Sequence, residues 1–439
     1  MMDIRFEAYK IIQKVLQKNI FSNKLLKQIK KKSKDSEENI DLLYKLVKGV
    51  IKQNKNLDYI VSEYTDDEKY KNTDLKIKIL LYLALYQILY CNNIPDYAAV
   101  DESVKLAKKL YGDKVSKFIN AVLRNYLRNP AFTYPEKLEE NLAVRYSFPE
   151  ELVKKWLELW GESSTEELCK FFNTEPLLSL RINNHATNKE KLINYFSRRD
   201  IELIPSTASN NVLMTDKPRE VLTDVAFSEG YFSIQDASAA LVVELMKPAP
   251  HESIIDFFAG PGGKATYMSE LMGDMGEILA IDKFPNKIKK IKQAIARLQL
   301  TNINTITEDA FNYGPVAPAY DKVLVDVPCS GWGVFQKKAE LRWQANQDMP
   351  KLLKLQEAAL KMGSQFVKQN GIMIYSTCTM NPAENEEQVN RFLKKNINFV
   401  IDPAAKYVSP KFVENNFLKT LPFKHKIDGS FAARLKRID

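Results

Sequence analysis

The sequence predicts three successive domains of different class. Residues 1–135 read as an all-α bundle, residues 136–229 as a small α+β linker module, and residues 230–439 as an α/β domain. Apolar residues recur at helical spacing in the first segment, form a mixed pattern in the second, and alternate between strand-like and helical runs in the third. A chain of 439 residues is long enough for two to four domains, so one fold need not explain all of it.

Helical periodicity defines the first segment. The predicted helical stretches cover residues 4–16, 42–50, 75–90, 100–110 and 115–127. Tyr111-Gly112-Asp113 separates the last two, and the prolines Pro130 and Pro135 close the domain. We therefore expect a helical bundle in which the repeated aromatic and aliphatic residues form the core.

The second segment combines both periodicities. Two predicted helices, over residues 149–160 and 189–196, flank strand-like runs over 177–182 and 201–204. This mixture indicates a small α+β module.

Strands and helices alternate in the third segment. Strands are predicted over residues 253–258, 277–281, 303–306, 322–327 and 371–376, with helices over 265–272, 287–300 and 352–368. Such alternation predicts a doubly wound, mostly parallel sheet. A sheet of this kind binds its ligand at the carboxyl ends of its strands.

The net charge of +9 lies entirely in the first third of the chain. Residues 1–130 hold 25 Lys and Arg against 16 Asp and Glu, and the density is highest between Lys24 and Lys34. Such a stretch attracts phosphate groups, although a solvated helix face would look the same. Charge alone leaves both interpretations open.

Several classes of protein are disfavoured by composition. No apolar run is long enough to span a bilayer, and the N-terminus lacks the apolar core of a secretory signal, so we expect a cytoplasmic protein. The four cysteines and three histidines do not form pairs at metal-ligand spacing, so we expect neither a zinc site nor disulfide bonds.

A glycine-rich turn follows the first predicted strand of the α/β domain. It runs from Asp256 through Gly260-Pro261-Gly262-Gly263 to Lys264, and a helix follows. Glycines allow a tight turn and a close approach of backbone to ligand. A phosphate-binding P-loop does not fit, because Phe258 and Ala265 stand where Gly and Ser or Thr are needed. A dinucleotide-binding fingerprint needs a third glycine, and Ala265 would have to take the place of that glycine.

Acidic residues at three successive strand ends favour a nucleoside ligand. Asp256 precedes the turn as in sheets that bind S-adenosylmethionine (AdoMet), Asp282 is placed to accept hydrogen bonds from ribose hydroxyls, and Asp309 is placed to reach the adenine edge. A single such residue would more often be a helix cap or turn residue. Three on one side of one sheet indicate an AdoMet site.

Two cysteines follow the next two strands. Cys329 lies in Asp326-Val327-Pro328-Cys329 and Cys378 in Ser376-Thr377-Cys378, whereas Cys91 and Cys169 lie in helical contexts and are interpreted as structural. Thiol reactivity depends on partly exposed positions of this kind.

A thiol beside AdoMet suits methylation of an unreactive carbon. Cytosine C5 becomes nucleophilic only after a thiolate attacks C6, and the adduct must later be released. We expect Asp326 to protonate or hydrogen-bond N3, a thiol to remove the C5 proton directly or through water, and Lys264 to favour the thiolate. The residues alone do not rank the two cysteines.

Together these motifs resemble the RsmB/Sun family of RNA 5-methylcytosine methyltransferases over nearly the whole chain. Besides the glycine turn and the two cysteine motifs, the similar stretches are 230–236 and 428–435 in the α/β domain. Residues 94–100 and 118–124 resemble a NusB-type RNA-binding domain.

The resemblance implies a Rossmann-like class I methyltransferase domain behind a NusB-like bundle. It implies that Cys378 attacks C6, that Cys329 assists release, and that the substrate is 16S ribosomal RNA. We expect the RNA to be bound before full subunit assembly, and we expect a monomer because nothing in the sequence demands more. The cofactor-binding residues that the resemblance implies are Phe258, Ala259, Gly260, Pro261, Gly262, Gly263, Lys264, Asp282, Asp309 and Asp326.

Some positions depart from the family pattern. Phe257-Phe258 and Gly260 replace the common Leu-Cys and Ala, and Ala265 replaces Thr. Trp332 replaces a small polar residue, and Lys338-Ala339-Glu340 replaces His-Pro-Asp. We expect the last change to affect how the RNA backbone is held.

Two other functions compete with this one. One is a non-catalytic RNA-binding protein with a vestigial methyltransferase domain, which the intact acidic residues and cysteines disfavour. The other is methylation of transfer RNA, which the N-terminal domain disfavours, although only by analogy.

Overall fold

A computed structural model of the chain describes residues 3–18, 20–33, 35–314, 319–344 and 348–438. The chain divides into two compact units. The first comprises Met1–Thr174 with Lys338–Gln344, and the second comprises Glu175–Lys337 with Ala345–Asp439. The predicted boundaries after residues 135 and 229 stay predictions.

The first unit is all-α within its described residues. Its helices are α1 (Ile4–Lys18), α2 (Ser22–Lys32), α3 (Glu37–Lys52), α4 (Asn54–Glu63), α5 (Asp67–Lys71), α6 (Leu75–Tyr90), α7 (Asp96–Arg128), α8 (Leu138–Arg145) and α9 (Glu150–Asn173). Residues 79–87 of α6 are buried without a break, so this helix is the centre of the bundle. Among the described residues, no helix has both the length and the apolar character needed to cross a membrane.

Two long helices are interrupted by glycines at positive φ. Gly112 in α7 has φ 82° and separates the two helices predicted over 100–110 and 115–127. Gly161 in α9 has φ 73° and separates two helices in the same way, so the helix predicted over 149–160 ends where expected. The second helix of α9, which buries Leu168 and Phe172 and ends at Asn173, was not predicted.

Residues 338–344 pack inside the helical unit. The Glu340 carboxylate accepts hydrogen bonds from the backbone N–H of Ser22, at 2.8 Å, and from its hydroxyl group. This places a negative charge at the N-terminus of α2, where the helix dipole favours it. The glutamate that departs from the family pattern therefore stabilises the lysine-rich helix α2.

Arg342 is the most deeply buried cation of this segment. It is 0% exposed and donates to the carbonyl oxygens of Lys52, Ser147 and Phe172, while its guanidinium lies 4.1 Å from the centre of the Phe148 ring. Burial lowers its pKa to about 9.

We expect Arg342→Ala to lower the free energy of unfolding of the helical unit by about 3 kcal/mol, because it leaves a cavity and unsatisfied carbonyl groups. Urea unfolding followed by tryptophan fluorescence measures this change, since Trp156 packs on Phe148 in the same unit. The exposed Arg124→Ala serves as control and should change stability by less than about 0.5 kcal/mol. A loss below about 1 kcal/mol for Arg342→Ala would contradict the assigned role.

The second unit begins with a four-stranded antiparallel sheet in the order β2-β3-β1-β4. Its elements are β1 (Leu178–Ile182), α10 (Lys189–Ser197), β2 (Ile204–Pro205), β3 (Val212–Thr215), α11 (Pro218–Thr223), α12 (Val225–Ser228) and β4 (Phe232–Ile234). The α+β character was predicted, but the strand predicted over 201–204 was largely wrong. Ile201 and Leu203 are buried in irregular backbone, and only Ile204 pairs with another strand.

A nine-stranded mixed sheet follows, counted over the described residues. Its elements are α13 (Ala237–Met246), β5 (Ser253–Phe257), α14 (Gly263–Leu271), β6 (Glu277–Ile281), α15 (Pro285–Leu298), β7 (Ile303–Ile306), β8 (Tyr320–Asp326), α16 (Met349–Ser364), β9 (Val367–Thr377), α17 (Glu386–Lys395), β10 (Phe399–Ile401), β11 (Val413–Glu414), β12 (Phe417–Thr420), α18 (Pro422–His425) and β13 (Ser430–Arg437).

The parallel part of this sheet has the order β7-β6-β5-β8-β9, and its strands match the five predicted ones. The strand order reverses between β5 and β8, which is where such sheets bind ligands. The prediction of a mostly parallel sheet was wrong at the other edge, where β10 to β13 pair antiparallel. The strand–helix alternation ends after α17, and β11 and β12 are joined by a tight turn that permits only antiparallel pairing.

Candidate functional site

The glycine-rich turn joins β5 to α14 at the reversal of strand order. Phe258 and Gly262 have φ of 64° and 100°, so the chain turns sharply before α14 begins at Gly263. A Cβ atom on Gly260 would lie 2.5 Å from the Lys287 side chain and 2.8 Å from Asp282 Oδ2. A side chain at 260 would therefore have to displace Lys287 in this chain, whereas glycine is required at 262 by its backbone conformation.

A pocket opens beside this turn. It is lined by Ile234, Gln235, Ala239, Asp256, Ala259, Gly260, Pro261, Gly263, Lys264 and Asp326. The structure thus brings most of the predicted cofactor residues and one predicted catalytic residue to the same pocket. Phe258 and Gly262 shape the turn behind it.

Asp282 and Asp309 lie at the ends of the neighbouring strands, outside the pocket lining. Asp282 is buried, and its Oδ2 accepts from the Gly260 N–H at 3.1 Å and from Lys287 Nζ at 3.0 Å. It therefore holds the glycine turn in place. Asp309 accepts from the Phe311 N–H at 3.2 Å, the contact expected of a turn residue, and lies 3.8 Å from Lys283 Nζ.

Asp256 lies on the pocket wall at the end of β5. It is 1% exposed, and neither carboxyl oxygen has a hydrogen-bond partner among the described residues. Burial and the nearby Asp326 raise the pKa of Asp256 well above its ordinary value. Because an unpaired buried carboxyl group is costly, its arrangement fits a ligand that brings a polar or cationic group to this point.

Asp326 forms an ion pair across the pocket. Its Oδ2 lies 2.7 Å from Lys264 Nζ, and its Oδ1 accepts from the Ser376 hydroxyl at 2.5 Å. Burial by itself would lower the pKa of Lys264, but Asp326, Asp256 and Cys378 together raise it. Lys264 therefore stays protonated and places a positive charge within electrostatic reach of Cys378.

The two thiols predicted from the sequence are adjacent. Cys329 Sγ and Cys378 Sγ are 3.3 Å apart. They meet because β8 and β9 are parallel neighbours in which Asp326 pairs with Ser376, so the loops after both strands leave the sheet side by side. Cys378 is exposed and Cys329 is half-buried.

The environments of the four cysteines differ. The hydrogen bond to Cys378, burial and the Glu384 carboxylate raise the pKa of the Cys329 thiol well above its ordinary value. Cys91 and Cys169 are buried elsewhere, and burial raises the pKa of each. This fits their interpretation as structural residues.

Three side chains of the site were not given a role from the sequence. Ser376 binds Asp326, Glu384 binds the loop that follows Cys329, and Lys337 joins Asp236 to Asp428 at distances of 2.5 and 2.9 Å. Lys337 therefore links the two motifs that lie at the start and the end of the α/β domain. Ser376 is part of the second cysteine motif, but spacing alone does not show which side chains these three meet.

The departure at Trp332 is a packing change. Trp332 is 1% exposed. The neighbouring Gly333 donates its N–H to the Cys378 carbonyl oxygen, and its own carbonyl oxygen accepts from the Gly429 N–H. A Cβ on Gly333 would lie 1.8 Å from the Gly429 carbonyl oxygen. The loop after Cys329 is therefore packed against the Cys378 loop and the closing motif. Among the described residues, no cluster of three or more His, Cys, Asp or Glu could hold a metal ion.

Comparison with family models finds three matches along the chain. The 16S rRNA methyltransferase RsmB/F family matches residues 243–436, the NusB family matches residues 2–128, and the ferredoxin-like domain of RsmF/B-like methyltransferases matches residues 148–222.

Two curated relatives match over their full or nearly full length. The probable ribosomal RNA small subunit methyltransferase B of Synechocystis is 33% identical over 100% of both chains. The protein of the same description from Bacillus subtilis is 33% identical over 99% of this chain and 98% of its own.

Solved structures share the fold. The crystal structure of PH0851 superposes with a TM-score of 0.82 at 24% identity, over 99% of this chain and 98% of that chain. The structure of NSun6 from Pyrococcus horikoshii with SFG, an AdoMet analogue, has a TM-score of 0.60 at 21% identity, over 67% of this chain and 99% of that chain.

Proposed function

Since this chain belongs to the RsmB/F family of 16S rRNA methyltransferases, with a NusB-like N-terminal region, we propose that it methylates C5 of one cytosine in 16S ribosomal RNA through a covalent bond between Cys378 and C6. The enzyme depends on AdoMet, which supplies the methyl group. The observation that carries the cytosine-C5 assignment is the pair of thiols 3.3 Å apart beside the cofactor pocket.

The pocket residues fit AdoMet. The turn at 258–263 lets backbone approach the cofactor closely, and the buried Asp256 carboxyl group offers unpaired oxygens to its ammonium group. Asp282 and Asp309 stand at the next two strand ends, where we propose that they bind the ribose and the adenine. Lys264 and Asp326 close the side of the pocket that faces the thiols.

We expect Gly262→Ala to weaken AdoMet binding about tenfold or more, because a residue with a side chain rarely adopts a φ of 100° and the new Cβ would lie 3.0 Å from Ile291, so the turn is distorted. Isothermal titration with AdoMet measures the effect. Gly314→Ala is the matched control, since its Cβ would meet nothing within 4 Å. Equal affinities for both variants would contradict the role of the turn.

The two thiols and the ion pair between Lys264 and Asp326 have separate roles in the proposed reaction on cytosine. The Cys378 thiolate attacks C6, an S–C6 bond forms, and the C5–C6 electrons move toward C5 and N3. Asp326, which shares a proton network with Lys264 and Ser376, stabilises N3 by a hydrogen bond or a proton. After C5 has gained its methyl group, Cys329 gives its own proton to solvent and then removes the C5 proton directly or through water, and the C5–H electron pair re-forms the C5–C6 double bond. The S–C6 bond then breaks and returns the electron pair to Cys378.

The partner and location remain proposals of the same kind. We propose a cytoplasmic monomer that binds 16S RNA before full subunit assembly, and the basic first third of the chain supports phosphate binding. Methylation of a 16S transcript and of complete small subunits should differ, with the transcript the better substrate. Preferential methylation of complete subunits would reverse the proposed order.

Identification of the methylated nucleoside tests the reaction itself. The full chain is incubated with 16S RNA and labelled AdoMet, and the digested RNA is analysed by mass spectrometry. We expect label in 5-methylcytidine. Label in any other nucleoside would contradict the assigned chemistry.

A further inference from the structure

Glu384 connects the two loops that carry the thiols. Its carboxylate is 0% exposed and accepts from the Ser330 N–H at 2.8 Å and the Ser330 hydroxyl at 2.5 Å. It also accepts from the amide groups of Gln356 at 3.0 Å and Asn381 at 3.1 Å. Ser330 directly follows Cys329, and Asn381 lies three residues after Cys378. A single buried carboxylate therefore fixes both loops.

The hydrogen-bond donors to this carboxylate are neutral. Within the described part of the chain, no lysine or arginine forms an ion pair with Glu384, so its negative charge is stabilised by four hydrogen bonds alone. An uncompensated negative charge disfavours a second one nearby. The Cys329 thiol, in the residue that precedes the Glu384-bound Ser330, is a group able to acquire one, and Glu384 raises its pKa.

The charge near Cys378 has the opposite sign. Lys264, which is paired with Asp326, is positively charged and attracts a negative charge on the Cys378 sulfur. Two further groups lie beside the loops. Arg391 donates to the Ala383 carbonyl oxygen at 3.4 Å and forms its ion pair with Glu387, at 3.6 Å. The Tyr375 hydroxyl donates to the Glu384 carbonyl oxygen at 2.6 Å. Burial, Cys329 and Glu384 raise the pKa of Tyr375, so it stays neutral. The electrostatic gradient therefore runs from Glu384, across the two sulfurs, to Lys264.

We propose that Glu384 is a positioning residue that keeps the shared proton of the thiol pair on Cys329 and so leaves the negative charge on Cys378, the sulfur that attacks. The inference rests on the proposed function, because it assigns the charge state that the reaction needs before substrate binds. It also supplies a physical reason for the order of the two cysteines, which the sequence motifs left open.

Alkylation of each cysteine as a function of pH tests the proposal in the full chain. The protein is treated with iodoacetamide, and the peptides of Cys329 and Cys378 are quantified by mass spectrometry. In the unchanged protein, Cys378 should react first near pH 7. In Glu384→Gln, which removes the charge but keeps a similar shape, alkylation of Cys329 at pH 8 should rise about tenfold, as a downward pKa shift of about one unit requires.

Two further variants distinguish the effect of the Glu384 charge from the effect of its hydrogen bonds on the loops. Glu386→Gln is the matched control, because Glu386 is a nearby glutamate that pairs with Lys419 instead, and it should leave both profiles unchanged. Ser330→Ala removes a hydroxyl donor to Glu384 but keeps the charge, so it should keep the order of alkylation. Alkylation profiles that shift equally in Ser330→Ala and Glu384→Gln would show a purely structural role and overturn the proposal.

A measurement that does not depend on the folding of Glu384→Gln uses Cys378→Ser. With one thiol left in the site, alkylation of Cys329 should still require a pH well above its ordinary pKa of about 8.5. Reaction with a pKa at or below that value would overturn the proposal. Normal methylation by Cys378→Ala would instead overturn the proposed function, so the two failures are distinguishable.

Discussion

Cys378→Ala is expected to abolish methylation, with a loss of roughly 10⁴-fold or more, while AdoMet binding remains. Cytosine C5 is too weak a nucleophile to react unless a thiolate first adds to C6, and the substitution removes that thiolate. The change leaves the cofactor pocket intact, because Cys378 does not line it. Methyl transfer from labelled AdoMet to 16S RNA measures activity, and calorimetric titration measures AdoMet binding.

Cys91→Ala is the matched control for this experiment. Cys91 is a buried thiol of the helical unit, so its removal changes the cysteine count without touching the site. We expect it to keep methylation. Activity of Cys378→Ala near that of the unchanged protein would remove Cys378 from the mechanism.

Cys329→Ala is expected to trap a covalent complex between protein and RNA. In the proposed reaction, Cys378 still attacks and C5 still gains its methyl group, but the group that promotes loss of the C5 proton is missing. The S–C6 bond then persists. Denaturing gels of the protein incubated with labelled RNA and AdoMet should show a band of the combined mass.

The double variant Cys329→Ala with Cys378→Ala provides the control for the trapped complex. It should give no such band, because no thiol remains at the site to attack C6. An adduct in the double variant, or free RNA with normal turnover in Cys329→Ala, would contradict the release role of Cys329.

The parallel strands and their loops could be predicted from the sequence because each depends on local patterns. The five strands from β5 to β9 are short apolar runs, and the carboxyl ends of parallel strands lie at one edge of the sheet. That rule predicts that the glycine turn, Asp326, Cys329 and Cys378 lie close together. The 3.3 Å between the sulfurs follows from the register of Asp326 with Ser376.

Contacts between distant segments could not be predicted in the same way. Glu340 and Ser22 are 318 residues apart in the chain. Hydrophobic periodicity reports only on residues close in sequence, so it cannot predict such a pair. Glu384 lies six residues after Cys378, but only the fold shows that its carboxylate binds the loop after Cys329. The strands β10 to β12 of the antiparallel edge were not predicted, because they are only two to four residues long.

Bisulfite mapping of 16S ribosomal RNA tests the central claim most directly. RNA is compared from cells that contain the protein, cells that lack it, and cells that carry Cys378→Ala. We predict one cytosine that resists bisulfite conversion only in the first. A 16S RNA whose cytosines convert alike in all three strains would contradict the proposed cytosine-C5 methylation.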